Sequence, residues 1–127
     1  MKPEFVDHLV FRVADVEKTE AFYSSFLGEP LERLAGSVAY GIGRTKIFFT
    51  ACTAKDVRSY DKEQIGLNHL AFGVREIKEL RRVGEELGRA GIQNSGIQID
   101  KYGKKEFIWF DDPDGMRLEF YLRGEGK

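Results

Sequence analysis

The spacing of apolar and polar positions changes several times along the chain, and each change predicts an element. From Phe5 to Val13 the two alternate. Phe5, Asp7, Leu9, Phe11 and Val13 share one side of the strand this predicts, and Val6, His8, Val10 and Arg12 share the other. Asp15 then offers a helix N-cap, and Val16, Phe22, Tyr23, Phe26 and Leu27 recur at helical spacing until Gly28 and Pro30 stop it. Three short strands are expected next, over Leu31–Ala35, Ser37–Gly43 and Thr45–Ala51, punctuated by Gly36 and by Gly43–Arg44. Cys52–Gly66 is charged and aperiodic, and reads as a connection with a short helix near Lys55–Tyr60.

The second half repeats the order. Leu67–Val74 alternates as a strand, and Glu76–Ala90 carries Ile77, Leu80, Val83 and Leu87 on one helical stripe ending at Gly91. Strands are expected at Ile97–Asp100, Lys104–Asp111 and Met116–Leu122, the last two joined by the turn Asp112-Pro113-Asp114-Gly115. Residues Gly124–Lys127 read as a frayed tail.

The halves also match residue by residue. DHLVFRVADV aligns with NHLAFGVREI at an offset of 61 residues, so His8 falls on His69, Leu9 on Leu70, Phe11 on Phe72 and Val13 on Val74. A second offset, of 71 residues, places Thr45–Thr50 on Met116–Tyr121 and sets Phe48 opposite Glu119. The chain thus reads as two βαβββ units in an α+β fold, forming one domain over residues 1–127. Unit one covers about 1–51, the connection about 52–66 and unit two about 67–123.

The repeat gives the histidines chemical content. Leu9, Phe11 and Val13, like Leu70, Phe72 and Val74, have the parity that packs on a helix, and each histidine has the opposite parity. With Leu118, Phe120 and Leu122 packed inward, Arg117, Glu119 and Tyr121 project with the histidines, so His8, His69 and Glu119 are the candidate ligands of a divalent metal. A lone strand histidine is ordinarily a hydrogen-bonded structural residue; here the only two histidines in the chain occupy one repeat position. Two neutral imidazoles and one carboxylate hold a divalent ion and leave positions open for substrate. Trp109 and Phe107, as aromatic strand residues, are expected in the core.

Composition narrows the classes. The chain has 127 residues, with 20 Lys+Arg against 21 Asp+Glu, a formal net charge of −1. No nucleic-acid partner and no membrane surface are expected from that balance. Cys52 is the only cysteine, so no disulfide forms within the chain, which fits a reducing cytoplasmic setting. No apolar run spans a bilayer, and MKPEFVDHLVFRV reads as a strand rather than a targeting segment.

DHLVFRV, NHLAFGV and WFDDPDGMRLEFY, with Phe110, Asp112, Pro113, Gly115 and Glu119 in an F-x-D-P-x-G-x-x-x-E pattern, resemble the vicinal oxygen chelate superfamily. That superfamily includes glyoxalase I, extradiol dioxygenases, fosfomycin-resistance transferases, methylmalonyl-CoA epimerase and bleomycin-resistance proteins. The resemblance implies two βαβββ units whose sheets form a cup around a divalent metal (Fe2+, Mn2+, Zn2+, Ni2+ or Co2+), held by His8, His69 and Glu119. It also implies a small-molecule substrate with neighbouring oxygens and a homodimer, with the metal site either contained in one chain or shared between two.

Phe48 stands where glyoxalase I has a metal-binding carboxylate that is also a candidate base, which argues against proton-transfer isomerisation or epimerisation. Glu29, Glu32 and Glu106 are the other carboxylates weighed for that role. Fosfomycin transferases share the three-ligand set but carry threonine where this chain has Val10, and no serine-rich potassium loop is seen in Ile92–Lys105. The ligand set fits dioxygenase chemistry, which is slightly favoured. With both histidines used as ligands, an acid/base role there falls to a tyrosine, Tyr121 or Tyr40 among the candidates with Tyr102. Arg12, Arg117 and Phe48 are candidate substrate contacts, with salt bridging the competing role for the arginines. The alternatives are a metal-dependent lyase, isomerase or thiol transferase, and a metal-free ligand-binding protein of the bleomycin-resistance kind.

Overall fold

The computed structural model describes residues 1–124; the expected fraying of the tail beyond Gly124 lies outside them. The order of elements is β1 (His8–Val13), α1 (Val16–Leu27), β2 (Glu32–Leu34), β3 (Ser37–Ile42), β4 (Thr45–Ala51), β5 (His69–Val74), α2 (Ile77–Arg89), β6 (Gln98–Ile99), β7 (Glu106–Asp111) and β8 (Arg117–Leu122). The fold is α+β, a tandem of two βαβββ units with two mixed four-stranded sheets. The chain divides into two compact units between Arg58 and Ser59.

In the first unit the strand order is β1-β4-β3-β2. β1 runs parallel to β4, with His8 beside Lys46 and Val10 beside Phe48, and the other pairs are antiparallel. A parallel pair needs a crossover, which α1 begins. Asp15 starts that helix by accepting the Lys18 N–H at 3.1 Å. Tyr23 of α1 is fully buried and stacks on Phe49 with ring centroids 4.2 Å apart, and Val38, Tyr40 and Ile47 complete this core.

The second unit has the matching order β5-β8-β7-β6, with β5 parallel to β8. Its helix α2 starts where the Glu79 carboxylate reaches back to accept the N–H groups of Glu76 at 2.9 Å and Arg75 at 3.0 Å. Those two bonds hold the Glu79 carboxyl below its ordinary range. Leu80 and Leu87 of α2 pack with Ile108, Phe110 and Leu118, all buried. Each such side chain contributes about 1.5–3 kcal/mol of transfer free energy.

Several strands are shorter than the alternation predicts, because pairing rather than pattern sets their ends. β1 begins at His8, not Phe5, since its partner β4 begins at Thr45 and the ladder reaches back only through Lys46 N–H to the Asp7 carbonyl. β8 begins at Arg117 because Met116 belongs to the turn, its N–H held by the Asp112 carboxylate at 2.9 Å. The short helix expected near Lys55–Tyr60 is absent, and that stretch is exposed and irregular; with no apolar stripe it has nothing to bury and nothing to offset a helix nucleus. Phe107 and Trp109 are not core residues. β7 pairs them with Tyr121 and Glu119, and the residues buried under α2 are their neighbours Ile108 and Phe110.

Candidate functional site

In each unit one sheet face is covered by the helix and the other carries the histidine. His69 on β5 and Glu119 on β8 share the uncovered face of the second sheet, with His69 Nε2 3.6 Å from Glu119 Oε2. His8 holds the matching place on the first sheet. The structure brings His69 and Glu119 together, and among the described residues no group of three His, Cys, Asp or Glu side chains is close enough to hold an ion.

Both imidazoles are oriented by the preceding residue. Asp7 Oδ2 lies 2.8 Å from His8 Nδ1, and Asn68 Oδ1 lies 2.8 Å from His69 Nδ1. An acceptor at Nδ1 favours the tautomer protonated there and leaves the Nε2 lone pair for a metal. Asn68 is itself held, its amide donating to the Lys62 carbonyl at 2.9 Å. Asp7 and Asn68 are aligned by the repeat, which is the sequence signal for this role. His69 and Glu119 thus offer one neutral imidazole and one carboxylate, donors of the kind a divalent ion takes, as a pair rather than an assembled set of three.

A cavity of about 630 Å³ opens on the second sheet, with His69 and Glu119 in its lining. Ala71 and Gly73 leave room on β5, and Phe107 and Tyr121 supply aromatic walls 6.1 Å apart between centroids. Tyr121 donates its hydroxyl to Asp100 Oδ2 at 2.9 Å. The 100–105 turn encloses that hydroxyl. A β-carbon at Gly103 would overlap it, so this position excludes any side chain unless Tyr121 moves. Partial burial and then the bond to Asp100 hold the Tyr121 phenol above the ordinary tyrosine range, so the hydroxyl stays protonated near neutral pH. Asp100 is held below the carboxylate range by the Tyr102 N–H first and by Tyr121 second.

The sign of the pH effect follows. Asp100 stabilises the turn fully above the ordinary carboxylate range, and that contribution is lost as pH falls through its lowered value. Tyr121→Phe removes the one side-chain bond to the carboxylate and leaves the backbone N–H bonds in place. The Asp100 carboxyl is then expected to titrate closer to the ordinary range, a shift read by side-chain carbon NMR. An unchanged value would show that the hydroxyl does not hold Asp100.

Of the other candidates, Tyr40 is not at the site. It is buried on the α1 side of its sheet, donating to the Glu20 carbonyl at 3.2 Å and sharing a 2.8 Å hydrogen bond with Ser24. Burial raises its pKa. Ile47, its register partner, has the core parity, whereas Phe48 lies with His8. Phe48 meets the His8 ring edge-on at 5.9 Å between centroids. Arg12 lies on the His8 face, where its guanidinium donates to the Ala51 carbonyl at 2.9 Å. Arg117 is on the Glu119 face but is paired with Asp111 at 2.6 Å and stacked over Trp109 at 3.9 Å. Glu29 faces Arg33, and Glu32 faces Lys46 at 3.8 Å. Sequence reasoning missed Arg123, which lines the cavity; the same parity carried two residues past Tyr121 would have found it.

A family model for the glyoxalase/bleomycin resistance protein/dioxygenase superfamily matches residues 5–120. The chain belongs to this superfamily. Metallothiol transferase FosB of Lysinibacillus sphaericus is 32% identical over 122 residues, spanning 95% of this chain and 84% of that protein. The uncharacterized protein YwkD of Bacillus subtilis is 32% identical over 124 residues, 91% of this chain and 94% of its own. Among solved structures, the glyoxalase family protein from Enterococcus faecalis superposes with a TM-score of 0.73 at 26% identity, covering 93% of this chain and 97% of that one. Superfamily membership accounts for the tandem units. No helix among the described residues is long and apolar enough to cross a membrane.

Proposed function

We propose that the protein is a divalent-metal-dependent enzyme acting on a small oxygen-rich substrate. The observation that carries this is the approach of His69 Nε2 to Glu119 Oε2 at 3.6 Å on an uncovered sheet face. His69 and Glu119 would hold the ion together with His8, and the homodimer implied by the family supplies His8 from a second copy. When bound, the ion acts as a Lewis acid on substrate oxygens, and if it is iron it is also a site for dioxygen. The chain's own residues do the rest. Asp7 and Asn68 orient the imidazoles, Phe107 and Tyr121 wall the cavity, and the Tyr121 hydroxyl is held in place by Asp100.

Phe48, which meets the His8 ring edge-on, stands where the resemblance to glyoxalase I implies a proton-abstracting carboxylate, and this disfavours isomerisation. Dioxygenase-type chemistry is the first reading. Thiol transfer is the second, favoured by the 32% identity to a metallothiol transferase. Metal-reconstituted protein is expected to consume oxygen with a panel of catechols. Thiol loss in the presence of an electrophilic oxygen compound, without oxygen uptake, would select the second reading. Failure to bind iron, manganese, zinc, nickel or cobalt would overturn both and favour a metal-free ligand-binding protein.

A further inference from the structure

Beyond Glu119 and Tyr121, the face they share ends in two arginines. β5 and β8 run parallel with Val74 beside Leu122, and the Arg123 N–H continues the ladder to the Val74 carbonyl at 2.8 Å. The next step along both strands therefore sets Arg75 beside Arg123. Neighbouring strands lie about 4.8 Å apart, and like charges directly opposite are destabilising. In the first unit the equivalent positions are Ala14 and Cys52, joined to the same ladder through the Cys52 N–H and the Val13 carbonyl. The charge pair is thus peculiar to the unit that carries the cavity.

Among the described residues no carboxylate forms a salt bridge with either guanidinium. The acids nearby have other hydrogen-bond partners, although Glu79 also feels the Arg75 charge. Asp100 takes the Tyr121 hydroxyl and the Tyr102 N–H, Glu79 takes backbone N–H groups at the start of α2, and Glu119 faces His69. Arg117, by contrast, is neutralised by Asp111. Arg123 instead lies over the Tyr121 ring, 5.0 Å from its centroid. Both arginines line a recess of about 200 Å³ with Gly73 and Gly124, and that recess shares Gly73 and Arg123 with the main cavity. Two glycines there leave the backbone open to a ligand.

We propose that Arg75 and Arg123 form an oxyanion site at the far end of the cavity, so that the oxygen-rich substrate carries a carboxylate, phosphate or phosphonate group. A guanidinium pair is the donor set for such a group, offering bidentate hydrogen bonds and relieving its own repulsion when the anion binds. Arg123 reaches back over Tyr121, which places the anion roughly two strand residues, ~7 Å, from the Glu119 end. As a statement about the substrate this rests on the metal-enzyme reading; the anion site itself does not.

The test uses full-length protein stripped of metal with chelator, titrated with methylphosphonate, acetate and neutral glycerol and followed by amide NMR. Methylphosphonate or acetate is expected to shift the Gly73, Arg75 and Gly124 amides saturably, and glycerol is not. Which anion binds tighter distinguishes a phosphonate-type from a carboxylate-type substrate. Arg123→Gln and Arg75→Gln should each weaken binding about tenfold or more. Arg81→Gln, on the exposed side of α2, should not. Saturable binding that survives His69→Ala, with metal uptake unchanged in Arg123→Gln, separates this site from the metal site. No saturable shift in the native protein, or equal affinity in Arg123→Gln, would overturn the proposal.

Discussion

His69→Ala and Glu119→Ala are each expected to lower divalent-metal affinity by more than about 100-fold, as measured by competition with a chromophoric chelator. Each removes one donor of the proposed three-donor set, and the acids on the neighbouring strands already have partners: Asp111 is bound to Arg117 and Asp100 to Tyr121. Asn68→Ala leaves both donors in place and removes only the acceptor at His69 Nδ1, so a smaller loss of about 10–100-fold is expected. That grading is the diagnostic. Equal, small effects at all three positions would mean that these side chains do not ligate. The same variants test the dimer. If His8 of one copy joins His69 and Glu119 of another, His8→Ala and His69→Ala chains that each bind no metal will regain one intact site per mixed dimer. If all three donors come from one chain, mixing restores nothing.

The second large effect is on stability. Leu118→Ala is expected to cost about 2–5 kcal/mol, seen as a lower urea midpoint with an unchanged slope. Leu118 is fully buried beneath α2, and its backbone sets the direction of its neighbours Arg117 and Glu119 on the opposite face. Total stabilities run to about 5–15 kcal/mol, so this one truncation removes a large share. Glu119→Gln, one residue away, should change stability by less than about 1 kcal/mol, because it projects into the cavity rather than the core. A cost as large for Glu119→Gln would mean the carboxylate is structural.

These two neighbours show how much of the protein is written in its pattern. Strand side chains alternate between faces, so the parity of Leu118 and Glu119 assigns one to the helix and the other to the site before any contact is known. The same rule places His69 with Glu119, and the repeat places His8 at the equivalent position. Parity alone does not say which face of a strand is apolar when both carry large rings. On β7, Phe107 and Trp109 alternate with Ile108 and Phe110, and composition favours neither side. Pairing with Tyr121 and Glu119 decides it.

Element order, the internal repeat and the division of each strand into two faces were determined by the sequence itself, because they follow from short-range periodicity and local capping. The tertiary structure alone decided that Tyr40 serves the core, that Gly103 makes room for the Tyr121 hydroxyl, and that Arg75 and Arg123 line one recess. Each of those depends on groups brought together from distant parts of the chain. Tyr121 and Asp100 are 21 residues apart, and no periodicity along one strand encodes which turn its hydroxyl will meet.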